Sequence, residues 1–184
     1  MGVDELPKIT INYKGIFDFG EVYGLVHDFL NDNEYVYPNH KAGPKDLYEE
    51  EYIEKGESPR QYQIKWKSEK KKDEFFTGRI NVTFKGTDIT KTEIMHDGKK
   101  TKVDNGDIVL EISSEFETDY KSATEEHIFV KHFKKKFEKM IKSRKKGIKE
   151  SFEGDVKNLH NLIKRYFRMR GDTNVAEVAP VRKG

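Results

Sequence analysis

The residues best placed to do chemistry are basic and gathered at one end of the chain. Residues 121–170 carry 16 Lys/Arg and 6 Asp/Glu, a net charge of +10, whereas residues 1–120 carry 17 and 25, a net of −8. Within the basic stretch lie Lys134, Lys135 and Lys136, then Lys142, then Arg144, Lys145 and Lys146, and further on Arg165 and Arg168. Clustered cations of this kind neutralise phosphates and release counterions from nucleic acid, or sit on an anionic membrane face. The competing reading is a solvated helix face whose charge the acidic region compensates internally. The expected partner is nucleic acid or a ribonucleoprotein. An anionic membrane surface, an acidic protein and self-association are the alternatives.

Other chemistries find less support. The six histidines are His27, His40, His96, His127, His132 and His160, and only His127 and His132 are near in sequence. Five residues place them about 500° apart around a helix, off any shared face, and the His-Glu-x-x-His pattern of a helical zinc site is absent. No metal site is expected. With no cysteine, thiolate nucleophiles, iron–sulfur clusters and disulfides are excluded. Gly15, Gly20 and Gly24 run into a helix rather than forming a phosphate-binding loop before it, and no serine sits in a nucleophile elbow. Glu125-Glu126 is an adjacent acid pair, but nothing separates it from the other surface acids. The expectation is a non-enzymatic protein without a cofactor.

The elements that must hold the basic residues follow from periodicity. Ile9 to Tyr13 alternates as a strand does, and Asp18 with Glu21 forms a capping box. After it, Phe19, Val22, Leu25, Val26, Phe29 and Leu30 make the apolar stripe of a helix over 18–32, ended by Asn31-Asp32-Asn33. Alternation returns at Tyr62, Ile64 and Trp66, at Ile80, Val82 and Phe84, and at Ile108, Leu110, Ile112 and Phe116. Asp97-Gly98 and Asn105-Gly106 are both hairpin signals, because those pairs tolerate positive φ. Pro38 to Pro59 reads as a long loop with at most an edge strand at Tyr48 to Ile53.

Beyond Tyr120 the spacing becomes helical, from Val130 through Phe133, Phe137, Met140 and Ile141 to Phe152, Val156, Leu159, Ile163 and Phe167. Gly147 and Gly154 each weaken a helix by about 1 kcal/mol, which favours two helices near 124–146 and 151–169 over one bent helix. Three regions result: an acidic, strand-rich 1–120 containing the 18–32 helix, a basic helical 121–170 packing on the sheet, and a disordered 171–184 tail. The fold class is α+β, an antiparallel sheet with one N-terminal helix and one or two long C-terminal helices. No run reaches the length of a membrane span and no secretory pattern opens the chain, so a cytoplasmic location is expected. The wealth of Lys and Glu, with Gln only at 61 and 63, is thermophile-like.

The order of strand, helix, antiparallel strands and long terminal helix is similar in outline to the START-like helix-grip superfamily. Tyr13-Lys14-Gly15-Ile16-Phe17-Asp18 leading into a helix, with Lys131-His132-Phe133-Lys134 and Tyr166-Phe167 near the end, resembles a set of uncharacterised archaeal proteins, a likeness that implies no activity. The helix-grip likeness implies an alternative function, a carrier of an apolar small molecule held between sheet and terminal helix. Its cavity would be lined by Ile80, Val82, Phe84, Ile108, Leu110 and Ile112 on the sheet, facing Phe133, Phe137 and Met140 on the helix. A structural subunit that self-assembles through the terminal helices is a further alternative. The aromatic residues between Tyr35 and Phe76 are assigned to the core.

Overall fold

A computed structural model of the chain describes residues 2–38, 47–96, 99–118 and 128–176, without the side chains of 96, 99, 128–138 and 170–176. The elements are β1 (Gly2–Glu5), β2 (Ile9–Phe17), α1 (Phe19–Asp32), β3 (Glu49–Lys55), β4 (Arg60–Lys71), β5 (Phe76–His96), β6 (Lys99–Thr118) and α2 (Ile128–Ala176). They form an antiparallel six-stranded sheet in the order β1-β6-β5-β4-β3, and β2 also pairs with β6. β1 lies against residues 115–118 of β6 and β2 against residues 104–112, so the two share one edge of that strand.

Alternation decides which face of the sheet is wet. Tyr62, Ile64 and Trp66 of β4, Ile80, Val82 and Phe84 of β5, and Ile108, Leu110, Ile112 and Phe116 of β6 are all buried on one face. The intervening residues are mostly polar and form cross-strand ion pairs: Lys85 with Glu111 at 2.8 Å, Lys8 with the same carboxylate at 2.9 Å, and Lys65 with Glu51. Both helices therefore lie over the apolar face. α1 starts where the sequence places it, with the Asp18 carboxylate accepting from Glu21 N at 3.2 Å. Its Phe19 and Tyr23 rings rest on Tyr62 and Trp66, each pair with centroids 4.5 Å apart.

β5 and β6 pair antiparallel as far as His96 and Lys99, and Asp97-Gly98, the turn expected between them, lies outside the described residues. Asn105-Gly106 does not turn. Asn105 pairs with Ile16 on one side and Thr90 on the other, in the middle of β6. The irregularity falls instead on β5, where Asp88 takes φ 54° and register shifts between Thr87 and Thr90. Gly106 is needed for that bulge, because a Cβ there would stand 2.7 Å from the Asp88 carbonyl oxygen. The buried Asp104 carboxylate fixes the same corner, accepting from Arg60 at 3.2 Å, Lys91 at 2.8 Å and the Phe19 backbone N–H at 3.2 Å.

The expected break at 147–150 is absent: α2 is one helix of 49 residues, about 74 Å long, and it runs past Gly171 to Ala176. Residues 177–184, like 39–46, lie outside the described residues. Tertiary packing outweighs the two glycines. Ile148 packs against the core, Phe152 and Val156 are buried on either side of Gly154, and Lys145 and Lys149 are tied to β1. Helical stability in proteins comes chiefly from such packing rather than from propensity.

Two glycines should respond oppositely to alanine. A Cβ on Gly78 would meet the buried Phe152 ring at 2.5 Å, so Gly78→Ala is expected to cost about 1–3 kcal/mol. Gly154 has nothing within 4 Å of its would-be Cβ, and Gly154→Ala should stabilise by about 0.5–1 kcal/mol. Urea unfolding of the two variants checks both signs.

Candidate functional site

Helix α2 presents three kinds of surface. Ile141, Phe152, Val156, Leu159, Ile163 and Phe167 are buried and form the seam to the sheet. Within the seam Phe152 lies 5.8 Å from Phe116, which stacks on Phe76 at 5.5 Å. At its end Phe167 stacks on Tyr13 at 4.6 Å. The seam spans 26 residue steps, about 39 Å, so much of the helix extends beyond what the sheet covers.

Flanking the seam is a set of polar ties. Asp4 of β1 receives Lys145 at 2.9 Å and Lys149 at 3.2 Å. Hydrogen bonding to Lys145, followed by Lys149, holds the Asp4 carboxyl below its ordinary value. Arg144 reaches Asp73 at 2.9 Å. Asp155 is the most enclosed tie, accepting from Lys72 at 2.6 Å and from the Tyr35 hydroxyl at 2.9 Å. Burial, then the Asp155 charge, pushes the Tyr35 hydroxyl far above its ordinary value. Near the helix end the Tyr166 hydroxyl accepts from Asp18 N at 3.1 Å and lies 3.0 Å from Glu21 Oε2.

The third surface faces away from the sheet. Positions 139, 142, 146, 150, 153, 157, 161, 164 and 168 follow one another by threes and fours, which aligns them in a single ridge along the helix. All nine are exposed. They read Lys139, Lys142, Lys146, Glu150, Glu153, Lys157, Asn161, Lys164 and Arg168, a net of +4. Among the described residues Lys139, Lys142, Lys157, Lys164 and Arg168 make no ion pair, and Lys146 reaches only Glu150, at 3.9 Å. Beside the ridge, burial and then the Lys164 charge hold the His160 imidazole below its ordinary value.

The candidate basic residues thus divide. Lys142, Lys146 and Arg168 stand on the ridge, and Arg165 is exposed on a neighbouring flank. Arg144 and Lys145 are spent on the sheet's own acids, as internal compensation requires. The side chains of Lys134, Lys135 and Lys136 lie outside the described residues. Lys139 and Lys157 join the site although runs of adjacent charges do not point to them, and Lys164 joins it beside its sequence neighbour Arg165; spacing by threes and fours finds all three.

The proposed cavity lining divides as well. Ile80, Val82, Phe84, Ile108, Leu110 and Ile112 are fully buried in one cluster with residues of α1 and α2. Met140 is 46% exposed and does not face them. The side chains of Phe133 and Phe137 are not described. The sheet is met instead by Ile141 and residues 152–167 of α2 and by Phe19 and Tyr23.

A groove of about 520 Å³ runs between the helices, lined by Leu25, Phe29 and Leu162 and rimmed by Glu21, Asp28 and Asp32. Leu162 and Lys164 are two residues apart, about 200° around the helix, so this acidic flank and the basic ridge are on opposite sides of α2. Among the described residues no cluster of His, Asp and Glu could hold a metal, and no helix is long and apolar enough to cross a membrane. No family model, curated protein or solved structure matches the chain.

The ties should be separable by pH and by depth. Asp155→Ala strands the Lys72 ammonium, whose side chain is 10% exposed, and is expected to cost about 3 kcal/mol in urea unfolding. Asp4 is more exposed, and Asp4→Asn should cost only ~0.2–1 kcal/mol at neutral pH. A carboxyl lowered in the folded state stabilises above its unfolded value and loses that contribution as pH falls through the folded one. The difference between wild type and Asp4→Asn should therefore hold at neutral pH, begin to shrink near the ordinary 3.8, and be lost only once pH has fallen through the lowered folded-state value.

Proposed function

We propose that the protein is a non-enzymatic binding module that contacts nucleic acid, free or in a ribonucleoprotein, through the outer ridge of α2. The observation that carries this reading is the division of charge on the helix. Cations beside the seam are neutralised by Asp4 and Asp73, while Lys139, Lys142, Lys157, Lys164 and Arg168 make no ion pair among the described residues. Solubility alone needs no such alignment, and a linear array of cations suits a linear array of phosphates. A membrane-surface helix would need an apolar face to insert, and between Ile141 and Phe167 the apolar face of α2 is occupied by the sheet. The acids on the α1 flank repel phosphates and leave the ridge as the approach. The lining expected of a carrier puts Met140 over the sheet, but Met140 is exposed, and the six sheet positions are buried in the core cluster.

The test is a fluorescence-anisotropy titration with RNA and duplex DNA at several salt concentrations. If the six ridge cations each neutralise a phosphate, affinity falls about a thousandfold between roughly 50 and 200 mM salt. Replacing Lys139, Lys142, Lys164 and Arg168 together by Gln should reduce that fall to about tenfold and weaken binding at low salt. The paired Arg144→Gln should change the salt dependence little. No binding at low salt, or binding indifferent to the four substitutions, overturns the reading.

A further inference from the structure

The order of charges along the ridge says more than their sum. It runs as three lysines, two glutamates, and then three cations interrupted by one asparagine. With a rise of 1.5 Å per residue, the first cationic group is centred near residue 142 and the second near residue 163, about 31 Å apart. Between Lys146 and Lys157 lie about 16 Å of helix whose only ridge residues are Glu150 and Glu153. α2 is continuous through this stretch, so the interval is fixed by a rod rather than by a flexible linker.

We infer that the nucleic acid is a duplex lying along α2, with each cationic group over a minor groove and the glutamates over the major groove between them. This rests on the reading of the ridge as a nucleic-acid surface. Successive minor grooves on one side of a duplex recur each helical turn, about 34 Å, close to the spacing of the two groups. The minor groove is narrow, about 6 Å, so the two backbones beside it present phosphates close together, where the lysines are. The major groove is about 12 Å wide and offers no phosphate across that width, which is where two carboxylates cost least. A single strand has no such gap. It can follow any row of cations, and for it Glu150 and Glu153 are only repulsive.

The ridge from Lys139 to Arg168 is about 44 Å long, or roughly 13 base pairs at 3.4 Å each. The full-length protein is titrated with DNA duplexes and RNA duplexes of about 8 to 24 base pairs, and with single strands of the same lengths. Affinity is expected to climb steeply up to roughly 13 base pairs and then only in proportion to the number of sites. Single strands should bind at least about tenfold more weakly than the better duplex. Comparing the DNA and RNA arms identifies which duplex geometry matches the 31 Å spacing.

The discriminating variant is Glu150→Lys with Glu153→Lys, at two exposed helix positions. Closing the gap should raise single-strand affinity more than duplex affinity, so that the preference shrinks severalfold or disappears. Circular dichroism confirms that the helix is retained. Binding without a length threshold, equal affinity for single strands, or a preference unchanged by the double variant overturns the duplex inference while leaving the ridge a nucleic-acid surface. Failure of every nucleic acid to bind at low salt overturns the reading beneath it.

Discussion

A sheet with one apolar face has to keep that face from water, and in this chain the covering must be done with few aliphatic side chains. The hydrophobic fraction is 34%, and Phe and Tyr together supply 21 residues. Rings therefore do much of the filling. α1 brings Phe19 and Tyr23 against Tyr62, Trp66 and Phe84, and α2 brings Phe152 and Phe167 to the two ends of the sheet. Aromatic pairs contribute about 0.5–1.5 kcal/mol beyond the area they bury. They also demand room, and the glycines show where. Phe152 lies on the backbone at Gly78, and Tyr62 lies on it at Gly86, where a Cβ would stand 2.4 Å from the ring.

That requirement fixes the orientation of α2 and hence its electrostatics. Once the line from Ile141 to Phe167 faces the sheet, helix geometry leaves no choice about the rest. Residues beside the seam come within reach of Asp4, Asp73 and Lys72, and residues opposite it cannot. The exposed pairs contribute little individually, about 0.2–1 kcal/mol, so their main effect is to fix rotation and register. The clasp of Lys72 and Tyr35 on Asp155 is more enclosed and stands between Gly154 and Val156, where propensity alone would have weakened the helix.

The sheet's other face and the basic ridge solve opposite problems with the same residue types. On the sheet, lysines stand opposite glutamates across neighbouring strands, as Lys85 and Lys8 do around Glu111, whose carboxyl their hydrogen bonds hold below its ordinary value. Charge there is neutralised locally and leaves little net field. On the ridge, cations are followed by cations for much of the length, and the field adds up. The difference lies in arrangement, since both surfaces are rich in lysine.

The sequence by itself determined the element types, the Asp18 cap, the antiparallel pairing of β5 with β6, the edge strand near Tyr48 to Ile53, and which strand residues are inward. Each is a local property: alternation of period two, a stripe of period 3.6, or a side chain bonding to its own backbone. It also determined that positive charge gathers after residue 120. Tertiary structure decided the rest. Asn105-Gly106 carries the same local signal as Asp97-Gly98, but strands on both sides hold it extended and move the irregularity to Asp88. Gly147 and Gly154 argue locally for a break that packing against the sheet overrides. Which turns of α2 meet the sheet depends on where the chain leaves β6, a long-range matter, so Met140 is exposed while Leu159 and Ile163 are buried. The same fact decided which cations are spent, because Arg144 and Lys145 face the sheet's acids once the seam is set and Lys142 and Lys146 do not.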